Sequence, residues 1–145
     1  MEENKQIQQV ESKIIIIRDT QVILDRDVAE LYGATTKEIN QALKNNPNKF
    51  PSDFVIELTD SEKQELVKNF DRFDKLKHST VSPHAFTEQG LYMLATILKG
   101  DLATETTLAI IRTFTKLRQL ARAMQHANDE IAKGGEMPTD KEQGV

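Results

Sequence analysis

The chain of 145 residues contains no cysteine. That absence excludes a disulfide framework, a thiolate metal site and a cysteine nucleophile. No apolar stretch approaches the roughly 18 residues that a membrane-spanning helix needs, and Met1 to Val10 is polar and acidic rather than signal-like. The expected location is cytoplasmic. Catalytic signatures are missing as well: there is no glycine loop to cradle a phosphate and no serine in a nucleophile elbow. His78, His84 and His126 are scattered, without the paired helical spacing of metal ligands. The 23 carboxylates offer pairs by number alone, and none is marked by an apolar run as a buried acid. No enzyme activity, cofactor or metal is expected.

What is present is the composition of one ordinary domain. At 38% hydrophobic and 29% charged residues, the chain can bury a modest core and is not disordered throughout. The net charge of −4 argues weakly against coating nucleic acid through bulk electrostatics, but its distribution is uneven. Residues 1–36 and 126–145 each carry −3, whereas residues 37–49 carry +2 and residues 99–125 carry +3. Two basic segments therefore lie between acidic ends.

Periodicity predicts the elements. The β-branched runs Ile14–Ile17 and Val22–Leu24, separated by Arg18-Asp19-Thr20-Gln21, read as a β-hairpin. Asp25 is placed to cap a short helix ending at Tyr32, with Gly33 at its C-terminus. Thr35 or Thr36 opens a second short helix that stops before Pro47. Phe54 to Leu58 reads as a half-buried strand, and Thr59 opens a helix to about Phe70. Residues 71–82 have no steady period and read as a mobile loop or loose helix end. Val81 to Phe86, interrupted by Pro83, fits an edge strand better than a central one. A helix from Thr87 carries Leu91, Leu94, Ala95 and Leu98 on one face and ends at Lys99-Gly100. From Asp101 nothing interrupts a helix to about Ile131, and Gly134-Gly135 ends it. The fold class is α+β: a short hairpin and small sheet, a helix-turn-helix, and a long C-terminal helix.

The helix-turn-helix expectation rests on spacing. That motif needs a small residue where its helices cross, a glycine four residues later at the turn, and apolar residues between the helices. Ala29, Gly33 and the set Val28, Tyr32, Ala34, Ile39 and Ala42 fill those places, although an Ala and a Gly four apart also arise by chance. The outward residues of the second helix are then Thr35, Thr36, Lys37, Asn40, Gln41, Lys44 and Asn45. Asn and Gln can pair bidentately with adenine, while Thr and Lys serve phosphates or bases. A polar outer face is also what any surface helix shows.

Several stretches together resemble a known family. Val22-Ile23-Leu24-Asp25-Arg26-Asp27-Val28-Ala29-Glu30-Leu31-Tyr32-Gly33, then Phe50-Pro51-Ser52-Asp53-Phe54 with Leu58-Thr59, then Ala85-Phe86-Thr87-Glu88-Gln89-Gly90 are similar to the ORF-six N-terminal domain. That domain is a relative of the KilA-N domain of phage antirepressors. The similarity continues into Ile110-Ile111-Arg112-Thr113-Phe114 and covers about residues 14–118, with residues 71–83 weakly matched. The resemblance implies a small non-catalytic domain that binds double-stranded DNA, standing N-terminal to a separate partner or effector domain that this chain does not include. The expected organisation is a polar tail over residues 1–13, a KilA-N-like DNA-binding domain over 14–125, and a helix end with a disordered acidic tail over 126–145.

The long helix suggests a second role. Ile110, Phe114, Leu117, Ala121, Met124, Asn128 and Ile131 follow 4-3-4-3 spacing, a heptad seam of about three repeats. Up to Leu117 this is also what a helix packed on its own domain shows. Beyond Leu120 the expectation is a homodimer through Leu117, Ala121, Met124, Asn128 and Ile131, with Asn128 fixing the register. Arg112, Lys116, Arg118 and Arg122 would meet phosphates or solvent. The competing reading is an adaptor that uses the long helix to bind a repressor or host protein, which the acidic total charge favours.

Overall fold

The sheet begins where β-branched residues are densest. In the computed structural model, which describes residues 2–134, β1 (Ile15–Ile17) and β2 (Thr20–Leu24) pair antiparallel with Ile17 opposite Thr20. Arg18 and Asp19 join them with φ of 53° and 61°, the backbone of a two-residue turn whose twist suits a hairpin. Thr20 and Gln21, expected in the turn, already belong to β2. Two later strands complete the sheet: β3 (Val55–Glu57) and β4 (His84–Thr87), in the order β1-β2-β4-β3, all antiparallel.

The place of β4 corrects one expectation. It lies between β2 and β3 rather than at an edge, with Ile23 opposite Phe86 and Ile56 opposite Ala85. Pro83 does not obstruct this, because the strand starts at His84, one residue after it. Strand alternation divides the core. Ile15, Ile17, Val22, Leu24, Ile56 and Ala85 form one cluster with Leu66, Phe73 and Leu76, while Ile23 and Phe86, both fully buried, point to the opposite face.

The helices are α1 (Glu2–Glu11), α2 (Asp25–Tyr32), α3 (Thr36–Asn45), α4 (Asp60–Asn69), α5 (Glu88–Ala95) and α6 (Asp101–Gly134), with a 3₁₀ turn at Pro47–Lys49 and a 3₁₀ helix at Asp71–His78. The residues expected as a polar tail thus form α1, where a single apolar side chain, Val10, is buried. The expected loop over 71–82 is largely the 3₁₀ helix, anchored by buried Phe73 and Leu76. Its three-residue spacing of apolar positions suits three residues per turn, which a search for a 3.6 period overlooks. Helix α5 ends at Ala95, before Lys99-Gly100.

The chain divides into two units, Met1–Ile110 and Ile111–Val145. In the first, the start of α6 is bonded to α2: Thr106 Oγ1 donates to the Leu31 carbonyl at 3.1 Å, and the Tyr32 and Thr107 hydroxyls share a 2.7 Å bond. In the second, Thr113 and Phe114 are buried, and every residue from 118 to 133 is exposed. The 34 residues of α6 span about 50 Å. The expected helix end after residue 126 is part of α6, and the expected acidic tail, residues 135–145, lies outside the described residues.

Candidate functional site

The joint between α2 and α3 is built from backbone geometry. Gly33 ends α2 with φ of 66°; its N–H donates to the Glu30 carbonyl and the Ala34 N–H to that of Ala29. These two bonds satisfy carbonyls that the helix end leaves open, and a left-handed residue there favours glycine. Three residues after Gly33 α3 starts, capped by Thr35. Thr35 accepts from the Glu38 N–H at 3.1 Å while Glu38 Oε1 accepts from the Thr35 N–H at 2.8 Å, a reciprocal cap contributing about 1 kcal/mol. That backbone bond holds the Glu38 carboxyl below its usual range. Between the helices Val28, Ala29, Tyr32, Ile39 and Ala42 are buried, as the spacing predicts, while Ala34 of the same expected set is half-buried.

The outer face of α3 is narrower than expected. Lys37, Gln41, Lys44 and Asn45 are exposed and share one side of the helix; Gln41 Nε2 donates to Asn45 Oδ1 at 3.0 Å. Thr35 is exposed, but its hydroxyl is engaged in the cap, and Thr36 is half-buried. Asn40 departs from the stripe. It is half-buried, and its Nδ2 donates to Asp25 Oδ2 at 3.1 Å. Asn40 stands four residues after Thr36, so both turn toward α2 rather than outward.

Asp25 is the centre of a polar junction. It is the first residue of α2 rather than its cap, since Leu24 holds the cap position. Its carboxylate is buried and accepts three N–H groups: Arg26 N at 2.8 Å, Asn40 Nδ2 at 3.1 Å and His84 N at 3.2 Å. One side chain thus ties α2, α3 and β4 together. His84 Nδ1 lies 3.8 Å from the same carboxylate, and Asn40 Oδ1 and His84 Nδ1 are buried without a hydrogen-bond partner among the described residues. Beside this junction is a cavity of about 250 Å³, bordered by Arg26, Thr36, Lys75, Ser79 and Ser82. A larger one of about 380 Å³ runs along α4. Its lysines are engaged: Lys63 donates to the Ser79 carbonyl and Lys77 pairs with Asp74.

A neighbouring ion pair holds the 3₁₀ helix to α2. Arg72 lies 3.4 Å from the buried Asp27 carboxylate, with its guanidinium carbon 4.4 Å from the centre of the Phe73 ring. Burial pushes the Asp27 carboxyl up, and the charges of Arg72 and Lys13 oppose that rise. None of these groups forms a metal site: no cluster of three or more His, Asp or Glu suited to one lies among the described residues. No helix there is long and apolar enough to cross a membrane.

On α6, Leu117 is half-buried, while Ala121, Met124, Asn128 and Ile131 are exposed. Met124 keeps 67% of its surface in water and Ile131 48%. The residues that sequence reasoning missed are Arg26, Lys75, Ser82 and His84. Their spacing carries no signal, because α2, the 3₁₀ helix and β4 meet only in the fold. Compared with known proteins, residues 12–97 match the family model of the ORF6N domain. No curated protein and no solved structure matches the chain.

Proposed function

Since the chain belongs to the ORF6N domain family, which points to phage-type regulation, we propose that it is the DNA-binding module of a phage or prophage-type transcriptional regulator of the antirepressor kind. In this reading α2 and α3 act as a helix-turn-helix, and α3 enters the major groove. The observation that carries it is the exposed stripe of Lys37, Gln41, Lys44 and Asn45 on a helix whose opposite side is fixed by Ile39, Ala42 and the Asp25–Asn40 bond. Gln41 and Asn45 would read base edges, and the two lysines would meet phosphates. Asn40 serves as a positioning residue. With acidic ends on the chain, sequence preference must come from a few base contacts, each worth roughly 1–3 kcal/mol.

Pairing of two copies through α6 completes the reading. On the heptad through Leu117, Ala121, Met124, Asn128 and Ile131, the charged residues Lys116, Arg122, Asp129, Glu130 and Lys133 all fall outside the seam and its flanks. Arg118 is the one charged flanking residue. An Asn in the seam is best satisfied by its own copy, which sets the two helices parallel and in register. Parallel pairing would make the DNA target a pair of half-sites.

The experiment is selection from a random duplex pool at two salt concentrations, followed by sequencing of the retained fraction. Enrichment of a motif, with Gln41→Ala relaxing preference at one base pair and Lys44→Ala weakening all sequences alike, is the expected result. A chain that retains no duplex even at low salt overturns this reading and leaves the adaptor, which would bind a repressor or host protein through α6.

A further inference from the structure

We propose that the cavity beside the first turn of α3 seats one phosphate of the DNA backbone, an inference that rests on α3 as the reading helix. Arg26 of α2, Thr36 of α3, Lys75 of the 3₁₀ helix and Ser82 before β4 converge on it. Its volume of about 250 Å³ is several times the roughly 30 Å³ of a water molecule, room enough for an anion that keeps part of its hydration. Beside Asp25 and Asn40, which also border it, the cavity offers a phosphate two cations and two hydroxyl donors, supplied by four separate segments.

The two cations at the cavity have no carboxylate partner among the described residues. Lys13, Arg18, Arg72 and Lys77 are each paired with a carboxylate. Arg26 and Lys75 have no ion pair among the described residues, nor do Lys37 and Lys44 on α3. Lys49, Lys63, Lys68 and Lys99 have none there either, so ion pairing leaves Arg26 and Lys75 open to an external anion, and it is their meeting with Thr36 and Ser82 at one cavity that sets them apart. Asp25 also borders the cavity, but its oxygens already accept three N–H groups, which offsets its repulsion of a phosphate. Ser79 is occupied, its hydroxyl bonded to both the N–H and the carbonyl of Val81.

Position gives the second argument. Thr36 and Asn40 lie on the side of α3 next to the Lys37–Gln41–Lys44 stripe. A helix seated in a major groove about 12 Å wide has a sugar–phosphate strand along each flank. The strand on the Thr36 flank would run over Lys75 and Ser82. The 3₁₀ helix thereby becomes part of the interface, although the sequence offers it only as a charged loop.

The test is the salt dependence of binding to the selected duplex by fluorescence anisotropy, for the full chain and for Lys75→Ala, Ser82→Ala and Lys68→Ala. Lys68 is an exposed α4 residue that does not border the cavity. Lys75→Ala should bind several-fold more weakly, with the slope of log K against log salt reduced by about one and the preferred sequence unchanged. Ser82→Ala should weaken binding without changing the slope, and Lys68→Ala should match the wild type. Lys75→Ala binding like the wild type while Lys44→Ala loses affinity overturns the phosphate site and spares the reading helix. Equal losses in Lys75→Ala and Lys68→Ala would mean diffuse attraction and overturn it too. A wild-type chain that binds no duplex removes both.

Discussion

Thr87 holds a strand to a helix with one amide and one hydroxyl. Its N–H and its Oγ1 both donate to the Phe54 carbonyl, at 3.0 and 2.9 Å, while Oγ1 accepts from the Gly90 N–H as the cap of α5. Gly90 completes the arrangement, because a Cβ there would overlap the same Phe54 carbonyl oxygen. The Phe86-Thr87-Glu88-Gln89-Gly90 motif is thus structural. Thr87→Val should cost about 2 kcal/mol and Gly90→Ala about 3 kcal/mol, read as shifts of the urea midpoint at unchanged m-value. Glu62 gives a pH signature. Arg18 donates to both of its carboxylate oxygens and, with the Thr59 N–H, lowers its carboxyl from 4.5 to about 2. A depressed carboxyl stabilises the fold above its ordinary pKa and loses that contribution as the pH falls. The melting-temperature advantage of wild type over Glu62→Gln should therefore be full above about pH 5 and shrink steadily toward pH 2.

At the scale of elements, what was legible in the sequence was local. The hairpin, the α2–Gly33–α3 joint and the cap of α3 are specified within a few residues of one another, and each forms at its expected place, the hairpin with a turn two residues shorter. The 3₁₀ helix, the central place of β4 and the inward turn of Asn40 depend on partners 15 to 65 residues away, such as the Asp25–Asn40 and Asp25–His84 bonds and the pairing of Val22 with Thr87. No local pattern reports them. The candidate site divides the same way: Lys37, Gln41, Lys44 and Asn45 follow from helical spacing, whereas Lys75 needs the fold. The Arg72–Asp27 link between the 3₁₀ helix and α2 is testable at this scale. Arg72→Ala leaves a buried carboxylate unpaired and should cost about 2 kcal/mol, less than a fully buried pair because Arg72 keeps part of its side chain in water. Adding Asp27→Asn should recover most of that loss, since the amide carries no charge to be compensated.

For the whole molecule, the exposed half of α6 makes association the property to measure. Light scattering across a dilution series should show mass rising toward two copies with concentration. Asn128→Val should strengthen association while relaxing its register, because a polar seam residue trades affinity for a defined pairing. Strict monomers in both chains at high concentration would remove the dimer. The order of the sheet carries a consequence of another kind. Strand β4 lies between β2 and β3 yet follows both in the chain, and its nearest register partner in β2, Leu24 opposite Ala85, is some sixty residues away. During synthesis, hairpin and helices can emerge and wait, but the middle of the sheet cannot exist until residue 87 has left the ribosome. Of the three donors at Asp25 only the His84 N–H arrives in that step, so a nascent chain halted before β4 can seat α3 on α2 but cannot yet tie that pair to the middle of the sheet.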